Sequence, residues 1–511
     1  MSRQDRKRRQ QVDKKNARKR EARAAGPTAA QPPYHGKQVP LERLDACRWR
    51  IPQTDGMHVD GVVWAREDLL PDLREDRCLE QVANVATLPG IVGHSMAMPD
   101  IHWGYGFPIG GVAAFDPDAG GVVSPGGVGY DINCGVRLLA SDLQAGDVQG
   151  RVRQLTDALF EAIPSGIGAG RPELLLGDDD LDALMARGLD WAVERGLATP
   201  ADVDHVEERG RIPGADPSHV SKRARSRGRG QVGTLGSGNH FAEVGVVDEV
   251  HDEAAAAAMG LRLGQVTLMI HSGSRGLGHQ VCEDALTGML QAAVDFGIPL
   301  VDRQLCCAPI TSAPARAYLA GMAAAANFAF VNRQAMAHWA RGAFKDLFKA
   351  KLTTVYDVCH NIAKFEEHEV EGKLRRLLVH RKGATRALPP GHPLVPRAYA
   401  ETGQPVIIPG DMGRYSFVLR GAPGSTASLG SACHGAGRLL SRHEAKRRYG
   451  DQDILGKLAD QGVIVRGASR ATVVEEVPEA YKDVAQVVDV VDQGGLATKV
   501  VRIRPIGCVK G

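Results

Sequence analysis

Helix-like and strand-like patterns of apolar residues are interleaved along the whole chain. Residues 150–210 carry apolar positions at helical spacing between acidic patches and lead into the basic stretch at 222–227. Residues 315–350 read as one long Ala-rich amphipathic helix. Strand patterns occur at 266–270, 374–380, 406–408, 416–419 and 484–491, each rich in Val, Ile, Leu or Phe. Several of these runs stop at Gly-rich turns that hold the chain's most reactive polar residues. The mixture predicts an α+β protein, a single large compact catalytic domain of mixed sheets flanked by helices, over residues 39–511.

Composition changes that picture mainly at one end. At about 150 residues per domain, 511 residues would allow roughly three domains, but the candidate ligands below span most of the chain and favour one body. The net charge of +3 hides an asymmetry: the first 25 residues hold eleven Lys/Arg against three acidic residues. That segment is nearly devoid of apolar side chains, so residues 1–38 are expected to form a disordered basic tail, either solvated or attracted to nucleic acid. No apolar run reaches membrane-spanning length and no signal-like apolar segment follows the basic residues, so a soluble, cytoplasmic protein without a membrane partner is expected. Nine cysteines with no CxxC pair argue for reduced thiols.

The chemistry concentrates in turns. Asp131 and Cys134, three apart and flanked by Gly, offer a carboxylate and a thiolate to one metal. His240 follows a Gly-Ser-Gly bend, and His271 and His360 end apolar runs. One such histidine is usually a satisfied core group, but three of them beside Asp131 and Cys134 favour a metal site. Ligand softness alone suggests zinc, while the oxygen donor leaves manganese or iron open. In the Pro- and Gly-rich turn 99–111, Asp100 and His102 are candidates for orienting metal ligands. His434, among small residues before a helix-like segment, has room for a bulky group on its imidazole, and a neutral ring beside a divalent cation can attack a nucleoside triphosphate. There is no GxxxxGK[ST], no KxDG, no GxSxG and no HExxH, so P-loop, lysine-nucleophile, serine-hydrolase and zincin chemistry are excluded as motif-based readings.

Six segments in order, GYDINCGVR (129–137), GTLGSGNHF (233–241), HSGSRGLGHQ (271–280), CHNIAK (359–364), HRKGATRA (380–387) and HGAGR (434–438), resemble the RtcB-type RNA ligases. The resemblance implies GTP- and Mn2+-dependent joining of a 3'-phosphate or 2',3'-cyclic phosphate RNA end to a 5'-hydroxyl end, in tRNA splicing or RNA repair. It implies that Asp131, Cys134, His240, His271 and His360 hold two manganese ions, with Cys134 as the bridge, and that His434 accepts GMP. Asn239, Glu243, Asp411, Ser416, Arg438, Tyr481 and Lys510 would surround the nucleotide. At Asp411 this chain departs from the Ser of many relatives, which puts that contact and the preference for GTP in question. His279 matches no ligand position. Arg275, Arg381, Lys382 and Arg386 are the expected RNA-phosphate contacts, with the strip at 222–229 as a second basic surface. The partners implied are tRNA halves or damaged RNA and an archease-like activator. A metal-dependent RNA phosphodiesterase, an RNA-end guanylyltransferase without ligation and a non-catalytic RNA-binding protein are the alternatives.

Overall fold

The computed structural model describes residues 30–511 apart from 36, 55 and 167. Of the tail expected over residues 1–38, residues 1–29 lie outside the described residues. Within the described part, the Tyr34 hydroxyl donates to the Pro52 carbonyl at 2.6 Å.

The strands that build the site are β1 (Ile91–His102), β2 (Ile109–Phe115), β3 (Gly135–Gln144), β4 (Phe241–Val250), β5 (Gln265–Ser272), β6 (Leu352–Cys359), β7 (Asn361–Val370), β8 (Lys373–Lys382), β9 (Pro405–Ile408), β10 (Ser416–Gly421) and β11 (Ala497–Lys510). Four helices matter: α1 (Lys222–Gly228), α2 (Arg275–Asp295), α3 (Ala313–Phe348) and α4 (Val484–Gln493). A seven-stranded sheet contains the order β1-β2-β8-β7, and a second, larger sheet runs β6-β3-β5-β4-β11-β10-β9. The strands expected at 266–270, 374–380, 406–408 and 416–419 all appear, each slightly extended. The fold is the mixed α+β architecture anticipated.

Residues 484–491 form a helix instead of the expected strand. Asp483 caps it by accepting from the Ala485 amide, and Val484, Val487, Val488 and Val491 recur at i, i+3, i+4 and i+7 on one buried face. That face packs with Met96 and Met98 of β1 and Leu419 of β10 in one cluster that joins the two sheets. β-branched side chains favour strands only weakly when such tertiary burial competes. The opposite faces of the sheets meet α3. Ser312 caps α3 through the Ala315 amide, and residues 321–337 are buried on every side, so the expected Ala-rich helix is a central pillar and not an amphipathic surface helix. The region 150–210 is helical as expected but broken into short pieces, two of them meeting at Gly188.

Candidate active site

The dispersed donors converge because of strand register. In the second sheet Gly135 pairs with Ser272 and with Cys359, and Phe241 pairs with His271. One end of four neighbouring strands therefore carries Cys134, His240, His271 and His360, each within one residue of a strand terminus. β6 passes through His360 directly into β7 of the other sheet, so His360 stands where the two sheets meet. Close approach requires glycine at one point: a Cβ on Gly273 would lie 2.3 Å from an Asp131 carboxylate oxygen.

Cys134 Sγ lies 3.2 Å from His271 Nε2 and 3.4 Å from His240 Nε2. His271 and His360 face each other Nε2 to Nε2 at 3.3 Å, and His240 Nε2 is 2.9 Å from Asp131 Oδ2. These atoms form two triplets, Cys134/His271/His360 and Asp131/Cys134/His240, each with its donor atoms within 4.8 Å of one another and with Cys134 shared. Burial, reinforced by the neighbouring histidines, pushes His271 and His360 well below the usual imidazole range, so both rings are neutral. Burial would raise Asp131, but its hydrogen bond and charge interaction with His240, together with Arg275, hold it at about 2.

His434 lines the same pocket, its ring centroid 4.6 Å from that of His360. Asp100 Oδ2 takes both the His434 backbone amide at 3.0 Å and Nδ1 at 2.5 Å. With Nδ1–H committed to the carboxylate, Nε2 keeps its lone pair, and among the described residues no protein group bonds it. His102, the other candidate in the 99–111 turn, borders the pocket but turns its Nδ1 to the Asp100 carbonyl.

Asn239, Glu243, Asp411, Arg438, Tyr481 and Lys510 line this pocket with His434, and Ser416 reaches it by donating to Glu243 Oε1 at 3.3 Å. Asp411 Oδ1 accepts the Gly413 and Arg414 amides at 3.0 Å each, so half of this carboxylate holds its own turn; Oδ2 has no hydrogen bond and lies 3.6 Å from Arg414 Nε. One organiser escaped the sequence reading. Glu476, buried, takes Arg438 Nη1 at 3.1 Å and the Tyr481 hydroxyl, and lies 3.7 Å from Lys510 Nζ. A carboxylate outside any motif carries no signal except its position among Val473, Val474 and Val477.

A family model described as "tRNA-splicing ligase RtcB" matches residues 81–511. The tRNA-splicing ligase RtcB of Thermococcus kodakarensis is 52% identical over 482 residues, 93% of this chain and 100% of that protein. The RNA-splicing ligase RtcB of Mycobacterium tuberculosis is 53% identical over 432 residues, 84% of this chain and 100% of its own length. The chain belongs to the RtcB family of RNA ligases. Among the described residues no helix is long and apolar enough to cross a membrane.

A metal fits the residues that this RtcB-family chain presents. Imidazole lone pairs, a thiol and a carboxylate oxygen point at one another at hydrogen-bond distance, while His240 spends its Nδ1 on the Leu235 carbonyl at 3.0 Å. The Nδ1 atoms of His271 and His360 have no partner. Such convergence of electron pairs is costly without a cation between them. Burial, then the charge on Asp131, pushes the Cys134 thiol well up, so cation binding there releases a proton.

Three of the expected RNA contacts are buried. Arg381 is buried in a two-pronged pair with Glu366, at 2.7 and 2.8 Å. Arg386 is buried against Glu208 at 2.5 Å and Glu207 at 3.4 Å. Lys382 gives its ammonium to the carbonyls of Tyr105, Phe107 and Gly126, and burial pulls it down to about 7. Their charges are spent inside the protein and face no solvent-borne phosphate. Arg275 is only half-buried, with Nη1 3.4 Å from His240 Nδ1, and stays beside the donors.

Burial lifts the Glu243 carboxyl to about 8, against the Ser416 hydrogen bond and the Lys510 charge, with Asp411 adding to the rise. Below its unfolded value of about 4.3 the group is protonated in both states; between about 4.3 and 8 only the folded state holds the proton, so folding stability falls as pH rises through that window. Glu243→Gln removes this dependence. Its melting temperature is expected to exceed that of the wild type by more at pH 8 than at pH 5, by thermal denaturation, and an equal difference at both values would refute the assignment.

Proposed function

We propose that this ligase joins an RNA end bearing a 3'-phosphate to a 5'-hydroxyl end through GMP carried on His434, with GTP as the nucleotide and Mn2+ as the metal. The observation that carries the reading is the Asp100–His434 pair, whose free Nε2 shares a pocket with Asp131, Cys134, His271 and His360, four of the five metal donors. Nε2 attacks the α-phosphorus of GTP; the N–P bond forms and pyrophosphate departs. The RNA 3'-phosphate oxygen then attacks the same phosphorus, breaking the N–P bond and giving an RNA-pp-G end. The 5'-hydroxyl of the second strand attacks the RNA phosphorus, forms the phosphodiester and expels GMP. A 2',3'-cyclic end must first be hydrolysed to the 3'-phosphate. Two cations held by Asp131, Cys134, His240, His271 and His360 would offset phosphate charge and acidify an attacking oxygen.

During N–P bond formation the imidazole becomes positive, and Asp100 holds the Nδ1 proton and stabilises that charge. Glu476 fixes Arg438 and Lys510 as cations at the nucleotide side of the pocket. tRNA splicing or RNA repair, an archease-like activator and a cytoplasmic setting extend the reading through the family resemblance alone. Incubation of the protein with Mn2+, GTP, a cyclic-phosphate strand and a 5'-hydroxyl strand is expected to give a joined product that requires GTP. Opening of the cyclic end without joining would support a phosphodiesterase instead, and accumulation of RNA-pp-G without joining an end-guanylylating enzyme.

A further inference from the structure

With Arg381, Lys382 and Arg386 buried, an RNA strand reaching the metal donors needs another surface. The donor cluster is most open at Asp131, whose side chain is 29% exposed against 6% for His240. On that side stands an aromatic stack. Tyr130, immediately before Asp131, lies face to face with His279 of α2, ring centroids 4.9 Å apart and planes 27° from parallel. Tyr105 meets Tyr130 edge-on at 5.4 Å. His279 is exposed and, among the described residues, has no hydrogen-bond or ion-pair partner. Neither metal binding nor guanylylation as described above uses it.

Basic residues border the stack. Helix α1 packs so closely on α2 that a Cβ at Gly228 would lie 2.7 Å from Leu277, and Arg227 Nη1 donates to Gln280, the residue after His279, at 2.9 Å and lies 4.0 Å from Glu283 Oε2, a pair at the limit of an ion-pair contact. Lys222 and Arg223 on α1 are exposed and have no carboxylate partner among the described residues. An open aromatic face beside a basic helix and a phosphate-handling site has the chemistry that holds single-stranded RNA: bases stack on aromatic rings and cations follow the phosphates.

We propose that Tyr130 and His279 form a nucleobase platform, on which the base of the RNA end nearest the donors extends the stack over the open face of His279, with Arg223 and Arg227 toward its phosphates. The inference rests on the RNA-joining reading above. The test uses the full chain with Mn2+ and two RNA strands measured separately, one ending in a 3'-phosphate and one in a 5'-hydroxyl, each with a fluorescent terminal base. His279→Ala is expected to weaken one strand by about 5- to 100-fold, the size of base–aromatic stacking, and the strand affected identifies the end bound. His279→Phe retains the platform and most of the affinity. Labelling of the protein by GTP alone is unchanged in both variants, because no RNA takes part. If His279→Ala binds both strands as tightly as a wild type that still labels with GTP, the platform is wrong and the functional reading stands. If the wild type neither labels nor binds either strand, both fall.

Discussion

His434→Ala is expected to abolish covalent labelling of the protein by GTP carrying a labelled α-phosphate, and Asp100→Asn to slow it on the order of 10²- to 10⁴-fold, the range for removing the carboxylate behind a reacting histidine. The two effects differ because the residues do different work. In the proposed reaction His434 supplies the attacking nitrogen, and alanine leaves nothing to carry GMP. Asp100 supplies no bond to phosphorus; its Oδ2 fixes the ring through the backbone amide and Nδ1 together. Asparagine keeps the shape but removes the negative charge that stabilises the imidazolium as the N–P bond forms. The adduct is expected to be acid-labile and hydroxylamine-sensitive, as a phosphoramidate is. Full labelling of the alanine variant would move the nucleophile elsewhere, and a wild-type rate in Asp100→Asn would leave the pair a purely structural contact.

The donor residues were legible because each sits in a Gly-rich turn or at the end of an apolar run, and His271 at the end of β5 is the clearest case. The geometry of their meeting was not, since it depends on β3, β4, β5 and β6 lying side by side in a register that joins residues from 30 to 224 positions apart, Phe241 with His271 and Gly135 with Cys359. The recurrence of donors at strand and turn ends favoured a metal site, and the family resemblance implied two ions with Cys134 between them. The same non-locality hides the burial of Arg381 and Arg386. In sequence they look like a basic turn, but their carboxylate partners Glu366, Glu207 and Glu208 come from other segments. Residues 484–491 failed for a local reason: a run dominated by valine satisfies a strand pattern and an i, i+3, i+4, i+7 helical face at once, and only packing between the sheets decides. His279 was set aside because it ligates nothing, and its stacking on Tyr130 is visible only once α2 is in place.

Arg333→Met is expected to cost more stability than any other single change near the site, and to weaken Mn2+ binding with it. Arg333 lies in the middle of α3, fully buried, under the donor cluster. Its Nη1 donates to the Asn133 carbonyl at 2.8 Å and the Ser272 carbonyl at 2.9 Å, and its Nη2 to Asn133 Oδ1 at 3.0 Å and Asp357 Oδ1 at 2.8 Å. One guanidinium thereby ties together the Asp131–Cys134 turn, the end of β5 after His271, and β6 three residues before His360. Asn133 sits at φ 51°, in the left-handed region that asparagine enters more readily than other residues with a β-carbon. Methionine fills much of the volume but donates nothing, and each buried acceptor left unpaired costs roughly 1–3 kcal/mol, so the total loss is on the order of several kcal/mol. Asp357 keeps its second partner, Arg137 Nε at 2.7 Å, so no lone buried charge is created and the variant should still fold at low temperature. Arg333→Lys restores one donor group but cannot span three segments, and should recover little. Denaturant unfolding gives the stability change, and Mn2+ titration of the folded protein at low temperature gives the metal affinity. A variant that melts early yet binds Mn2+ like the wild type would show that the three turns hold their geometry without the arginine.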